Sequence, residues 1–190
     1  MYQKYHTEGL VLGSRESGES DKSFALFTRD FGLVRARASA VRTEKSRMRY
    51  ALQDFAFAKV SLVKGKRGWR VAGAAAHKLA TGDIRGIGAF ARIAELTLRL
   101  VHGEEKNDYL FAALSEAHQA LMHEKTDAFG MIELVCVARL LFALGYISNE
   151  ALSTALFTHT AYTGESLLEA ESMKDKLLFS INRAIAETQL

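Results

Sequence analysis

The stretch FGLVRARASAVRTEKSRMRYALQDF, residues 31–55, decides how the first half of the chain is interpreted. Its beginning alternates with a period of two, which is typical of a β-strand, so that Val34, Ala36 and Ala38 lie on one face and Arg35 and Arg37 on the other. The polar loop that follows carries a single acid, Glu44, and the cations Arg42, Lys45, Arg47 and Arg49. This concentration of positive charge is typical of a protein that binds a phosphate backbone, and a merely solvated charged face has the same composition.

Four further strands are predicted around this one. Thr7–Ser17 and Lys22–Arg29 precede it, and Gln53–Val63 and Trp69–Ala75 follow it. Glycines in the first of these strands are positions where bends or bulges are expected. The tip of the last hairpin adds a second group of cations, namely Lys64, Lys66 and Arg67. Five short strands within about 75 residues indicate a small closed or sandwiched β domain.

The hydrophobic period changes after His77, and the remaining chain is predicted to be all-α. Residues 81–88 contain three glycines and are interpreted as a linker, so the predicted domains are residues 1–80 and 81–190. The predicted helices are Ala89–Val101, Asn107–Met122, Thr126–Leu144, Ser148–Phe157, and a last helix that follows a capping box at Ser166–Glu169 and contains Leu177, Ile181 and Ile185. The fold class is therefore α+β, with a β domain followed by a helical domain.

Charge is divided between the same two parts of the chain. Residues 1–80 contain 16 Lys and Arg against 7 Asp and Glu, and residues 81–190 contain 9 against 15, so the net charges are +9 and −6. This asymmetry suggests a basic working module joined to an acidic one with another partner. No export signal is expected in residues 1–12, and the apolar segment 128–147 contains Glu133 and Arg139, which favours a buried helix and a cytoplasmic protein without a membrane partner.

Patterns that would indicate catalysis or metal binding are missing from the sequence. It has no G-x-S-x-G, H-E-x-x-H or Walker A pattern, and its single cysteine, Cys136, leaves no cysteine zinc site. His118 and His123 are five residues apart and do not share a helix face. We therefore expect no cofactor, no metal ion and no enzymatic activity.

Aromatic side chains near the cations could stack on unpaired bases, and they are Phe31, Tyr50, Phe55 and Trp69. Most of them are expected in the core, because a small β domain needs its large apolar residues inside. Tyr50 adjoins Arg49 and has a polar tip, so we expect it to be exposed. The candidate DNA-binding residues are Arg35, Arg37, Arg42, Lys45, Arg47, Arg49, Lys66, Arg67 and Tyr50.

The first half of the chain also contains a series of short motifs, namely Thr7-Glu8-Gly9, Gly18-Glu19 with Asp21, Leu26-Phe27-Thr28, Gly32, Lys45-Ser46-Arg47, and Leu52-Gln53 with Phe55. In these motifs the chain resembles a known family, the RecO recombination mediators of bacteria. The helical half is similar more loosely, at Ala94-Glu95-Leu96, at 107–114 and from Arg139 to Tyr146. The chain departs from the family at Asp54, where proline is usual, and after Gly145-Tyr146, where many members carry a four-cysteine zinc module.

This resemblance implies an oligonucleotide-binding (OB) barrel, a helical domain, and annealing of complementary DNA strands. It also implies work with RecR, with the C-terminal tail of single-stranded DNA-binding protein, and with RecA loading. Such an anionic, apolar tail needs a cation beside an apolar groove, and Arg139 is the candidate, with a surface arginine that covers apolar neighbours as the alternative. Two other functions stay open: an adaptor whose cations maintain solubility, and an RNA-binding module.

Overall fold

A computed structural model describes residues 3–123, 127–148 and 154–188. Five strands are followed by helices, and the chain divides into two compact units, Met1–Thr81 with Leu100–Asn107 and Gly82–Arg99 with Asp108–Leu190. The predicted α+β class is confirmed. The domain limits that the sequence suggests, residues 1–80 and 81–190, stay a prediction.

The first unit is a closed β-barrel. Its strands are β1 (Lys4–Glu16), β2 (Lys22–Thr28), β3 (Gly32–Ala38), β4 (Phe57–Gly65) and β5 (Gly68–Lys78). They pair in the order β1-β2-β3-β5-β4, and only the β3–β5 pair is parallel. This order is that of the OB-fold, so the predicted barrel is confirmed. Strand β1 closes the barrel because it pairs with β2 and with β4, and its register shifts between Val11 and Gly13, as the glycines predicted.

The barrel core follows the period-two pattern of β3. Val34, Ala36 and Ala38 are fully buried, whereas Arg35 and Arg37 are exposed. The polar loop after β3 differs from the prediction, because it contains a one-turn helix, α1 (Met48–Ala51). Residues 51 and 52 are buried in the barrel core, and this tertiary contact outweighs the polar composition of the segment.

The second unit is helical. Its elements are α2 (Ile84–Leu100), α3 (Asp108–His123), α4 (Phe129–Ala143), a 3₁₀ turn (Ala155–Phe157), α5 (Gly164–Ser172) and α6 (Lys174–Glu187). Most of α4 is buried, and Gly145 follows it with a φ of 81°, which confirms the predicted central helix and its end. Within the described ranges, no helix is both long and apolar enough to cross a membrane.

Three predictions about the helical part differ from the structure or fall partly outside the residues that it describes. The linker predicted at residues 81–88 is wrong from Ile84 onward, because α2 begins there and contains Gly86, where an added Cβ would lie 2.2 Å from the carbonyl oxygen of Leu121. The capping box is also wrong, since Thr163 caps α5 and accepts from the amide of Ser166 at 3.2 Å. Of the helix predicted from Ser148 to Phe157, residues 149–153 lie outside the described part of the chain.

Candidate nucleic-acid interface

The outer surface of β1, β2 and β3 carries arginines around small side chains. Arg37 lies opposite Ser23, which lies opposite Arg15, and Arg35 lies opposite Ala25. Directly paired residues of antiparallel strands point to the same side of a sheet, so these five residues share one surface. We call them the basic face.

Space between the arginines of the basic face is open. A depression of about 150 Å³ is lined by Arg15, Arg35 and Ala25. Gly13 of β1, which pairs with Ala25, also lines it. Small side chains here let an extended ligand approach the sheet between the two guanidinium groups. Neither Arg15 nor Arg35 forms an ion pair with any residue that the structure describes. Both are therefore available to phosphate oxygens.

Arg37 is partly used within the protein. One of its terminal nitrogens lies 2.8 Å from Oδ2 of Asp21, and the amide of Ala40 donates to Oδ1 of the same carboxylate at 2.8 Å. The Ala40 amide, followed by Arg37, lowers the pKa of Asp21. Ala40 has a φ of 52°, so this carboxylate stabilises a turn in the left-handed region. Arg37 remains about half exposed and combines a structural contact with a place on the basic face.

Arg42 holds the loop after β3 against the β1–β2 turn. Its guanidinium lies 3.1 Å from a carboxylate oxygen of Glu16 and donates to the carbonyl oxygens of Glu19 at 3.0 Å and Gly18 at 3.4 Å. A guanidinium with three partners on one turn is engaged in positioning that turn. Arg42 and Arg35 belong to the same set of predicted DNA-binding residues, but Arg42 is engaged within the protein and Arg35 forms no ion pair with any described residue.

The end of the loop and α1 present Lys45, Arg47, Arg49 and Tyr50. Lys45 and Arg47 are exposed and form no ion pair among the described residues. Arg49 donates to the hydroxyl of Tyr50 at 2.8 Å, and its guanidinium carbon lies 4.8 Å from the centre of that ring. The predicted exposure of Tyr50 is confirmed at 55%, while its contact with a base stays a prediction.

The other aromatic candidates belong to the barrel. Phe31 and Trp69 lie 5.3 Å apart between ring centres, and both contact Tyr5. Trp69 is buried, and Phe31 and Phe55 are partly buried. This agrees with the expectation that most of these rings are in the core, and it leaves Tyr50 as the exposed ring of the predicted set.

The β4–β5 hairpin tip lies beside the basic face. Trp69 pairs with Ala36 of β3, so the exposed Lys66 and Arg67, which come just before it, adjoin that strand. Lys64 differs from them, because its ammonium lies 2.7 Å from Glu104 and lowers the pKa of that carboxyl group. The tip therefore contributes two outward cations and one that is ion-paired.

Two arginines near this surface were missed by the sequence analysis. Arg15 lies on β1 in the basic face, and Arg70 pairs with Arg37 across the β3–β5 junction. Strand alternation could have shown that both point outward, because Arg70 lies between the buried residues Trp69 and Val71. Their position beside β3 depends on pairing between distant strands, which alternation does not reveal.

The prediction for Arg139 does not agree with the structure. Arg139 is 1% exposed, and its guanidinium donates to the carbonyl oxygens of Leu156 at 3.0 Å, Thr160 at 2.7 Å and Ala161 at 3.2 Å. It also lies 4.6 Å from the centre of the Tyr162 ring. Because the guanidinium is buried and fully engaged, it cannot receive a partner's tail, and its role is to hold the segment 156–162 against α4.

Comparisons with known proteins agree with this barrel. Residues 1–71 match the family model described as "Recombination protein O N terminal". The DNA repair protein RecO of Desulfitobacterium hafniense strain DCB-2 is 48% identical over 62 residues, which are 33% of this chain and 23% of that protein. The RecO of Thermoanaerobacter strain X514 is 27% identical over 146 residues, which are 74% of this chain and 58% of that protein. The barrel of this chain is thus similar to the N-terminal part of RecO proteins.

A further RecO relative, from Pelotomaculum thermopropionicum, is 30% identical over 120 residues, covering 62% of this chain and 47% of the relative. The chain thus spans between about a quarter and three-fifths of the length of these RecO proteins. The resemblance found in the sequence motifs is confirmed. Among the described residues, no group of three or more His, Cys, Asp or Glu side chains is placed to hold a metal ion.

Proposed function

We propose that this chain is a member of the RecO family and a non-catalytic DNA-binding and strand-annealing protein of recombinational DNA repair in the cytoplasm. The observation that carries the proposal is the basic face, in which Arg15, Arg35 and Arg37 surround the small residues Ser23 and Ala25. The names of the matching proteins, "DNA repair protein RecO", support the repair context.

Binding would depend mainly on phosphate neutralisation. A strand that crosses the basic face would meet Arg35 first on β3 and then the exposed Lys45 and Arg47 of the following loop. Lys66 and Arg67 at the hairpin tip would border the same path. Each neutralised phosphate releases condensed counterions, so such binding is strong at low salt and insensitive to base sequence.

Annealing would follow from the same electrostatics. Two complementary strands repel each other, and a surface that neutralises part of the charge of both lowers the cost of bringing them together. The barrel offers cations on a strand face and on a hairpin tip, which gives room for more than one strand. This is why we propose binding to single-stranded and double-stranded DNA, the second being the product of annealing.

The partners that we propose are RecR and the tail of single-stranded DNA-binding protein. Through these partners the chain would promote the loading of RecA. The helical unit contains a groove of about 600 Å³ beside the exposed rings of Tyr146 and Phe179. Arg183 lines the same groove and pairs with Glu187 at 3.0 Å, an exposed helical pair that is easily exchanged. The groove is also lined by Lys176 and by the acids Asp175 and Glu187. Apolar side chains beside cations have the chemistry that an anionic, apolar tail needs. Loss of tail-peptide binding in Phe179→Ala with retained binding in Leu168→Ala, another exposed apolar residue, would support this site.

Fluorescence anisotropy of a labelled single strand, followed by annealing with its complement, tests the DNA function. Reversing charge with Arg15→Glu, Arg35→Glu and Arg47→Glu together should abolish binding and accelerated annealing. The matched control reverses three exposed cations of the helical unit and should bind as the wild type does; they are Arg99, Lys174 and Lys176. DNA affinity that survives the reversal in the barrel would refute the proposal.

The alternative functions predict different results in the same assay. An adaptor would bind DNA weakly and without salt dependence, and an RNA-binding module would prefer an RNA competitor of equal sequence. ATP consumption or DNA cleavage by the purified protein would contradict the non-catalytic assignment.

A further inference from the structure

A depression beside α1 has no part in the phosphate path described above. It measures about 520 Å³ and lies between the end of β1, the start of β2 and residues 41–54. Its deepest side chains are Phe24, Val41 and Leu52, all apolar and at most 3% exposed. A depression of this size is within the range of small-ligand pockets, and an apolar floor favours a flat apolar ligand.

The rim of the depression is polar and carries more cations than acids. The cations on the rim are Lys22, Arg42 and Arg49, and the acids are Glu16 and Asp54. Arg42 is already paired with Glu16, whereas Lys22 and Arg49 form no ion pair within the part of the chain that the structure describes, and Glu44 acts on Arg49 only through its charge. Positive charge without an ion pair therefore lies directly beside the apolar floor, which is the arrangement that a ligand with an apolar body and an anionic group requires.

Tyr50 gives the depression an aromatic wall. Its hydroxyl accepts a hydrogen bond from Arg49, and the guanidinium lies near the ring, so both side chains are held in a defined orientation. More than half of Tyr50 is exposed, which leaves ring surface free for stacking. Gln53 and Asp54, one turn further along, are exposed on the same rim and offer hydrogen-bond donors and acceptors.

We infer that this depression binds one unpaired nucleobase of a single DNA strand, with the base against Tyr50 and an adjoining phosphate at Lys22 and Arg49. A nucleotide unites the three features that the site addresses: a flat apolar face, an edge with donors and acceptors, and an anion. A base inside a duplex cannot enter, because its edge is paired and its faces are stacked. The inference rests on the proposed DNA-binding function and deepens it, since it names the single strand as the preferred substrate.

Three ligands and three variants test the inference by anisotropy. The ligands are a single-stranded oligonucleotide, the same oligonucleotide made abasic throughout, and its duplex. The variants are Tyr50→Ala, which removes the ring, Tyr50→Phe, which keeps it, and Leu168→Ala, which removes an exposed apolar side chain of the helical unit as a control. Tyr50 is exposed, so its variants should fold, and a thermal melt of each checks this.

Tyr50→Ala should weaken binding of the normal single strand by about 5- to 140-fold, which corresponds to the stacking of one base. The abasic strand and the duplex should bind this variant as they bind the wild type, and Tyr50→Phe and Leu168→Ala should leave all affinities nearly unchanged. Equal weakening for normal and abasic strands, or no weakening for either, would overturn the inference.

Two further outcomes are informative. A deoxynucleoside monophosphate that displaces the strand at concentrations near the strand's own Kd would show a pocket for free nucleotides and would overturn the assignment to a strand. Failure of the wild type to bind any of the three ligands would instead refute the proposed function. The two failures are thus distinguishable.

Discussion

The salt dependence of DNA binding can be derived from the contacts of individual cations. Six exposed cations of the basic face, the loop after β3 and the β4–β5 hairpin tip form no ion pair in the described part of the chain, namely Arg15, Arg35, Lys45, Arg47, Lys66 and Arg67. If each neutralises one phosphate of a single strand, the logarithm of the binding constant should fall with that of the salt concentration at a slope of about −4.2. This slope corresponds to a loss of affinity of about 340-fold between about 50 and 200 mM salt.

Removing two of these cations should change the slope by a defined amount. The double variant Arg15→Gln, Arg35→Gln should have a slope of about −2.8 and a loss of about 50-fold over the same salt range. The matched control is Arg42→Gln, because Arg42 is already engaged with Glu16 and two backbone carbonyls. It should leave the slope nearly unchanged and lower the free energy of unfolding by about 1 kcal/mol.

The assay is fluorescence anisotropy of a labelled single strand, titrated at several salt concentrations for the wild type and each variant. Circular dichroism during urea unfolding gives the stability of the same samples. A slope that is unchanged in the double variant, or that falls as far in Arg42→Gln, would refute the distinction between free and engaged cations.

Three further predictions concern stability and reactivity. Gly32→Ala should lower the free energy of unfolding by about 3 kcal/mol in urea titrations, because residue 32 has a φ of 61° and an added Cβ would lie 2.1 Å from the carbonyl oxygen of Glu105. Arg139→Leu should cost about 3 kcal/mol by the same measurement, since three carbonyl oxygens lose their donor, while DNA affinity stays unchanged. Burial raises the pKa of Cys136 from 9.0 to about 11, so a thiol reagent at pH 8 should label this residue only after unfolding. Because the folded state favours the neutral thiol, the free energy of unfolding should decrease as the pH rises from about 9 through about 11.

Most strands of the barrel could be predicted from local pattern. The alternation of β3 places a buried side chain after every exposed one, and this order is a property of neighbouring residues whatever surrounds the strand. The central helix could be predicted for a similar reason, since an apolar run that ends at Gly145 has few alternatives to a buried helix. Family motifs added the barrel topology, which local periodicity alone does not specify.

Where local pattern failed, long-range contacts were the cause. Gly86 resembles a linker residue, but it allows the backbone of α2 to approach Leu121, and no sequence window contains both. Arg139 has the composition of a docking residue, but the segment that contains Leu156 and Thr160 folds over it and uses all of its donors. Helix α1 likewise exists because a barrel is present to bury its last residue.

The sequence by itself determined that this chain would contain a basic β-barrel and an acidic helical part, because net charge and hydrophobic period depend only on the identity and order of neighbouring residues. Only the tertiary structure decided which cations are free. Arg35 and Arg42 are equal in the sequence, yet one faces open space opposite Ala25 and the other holds a turn through Glu16. The physical reason is that a charge is neutralised by whatever lies within a few ångströms of it, and folding rather than sequence order brings those neighbours together.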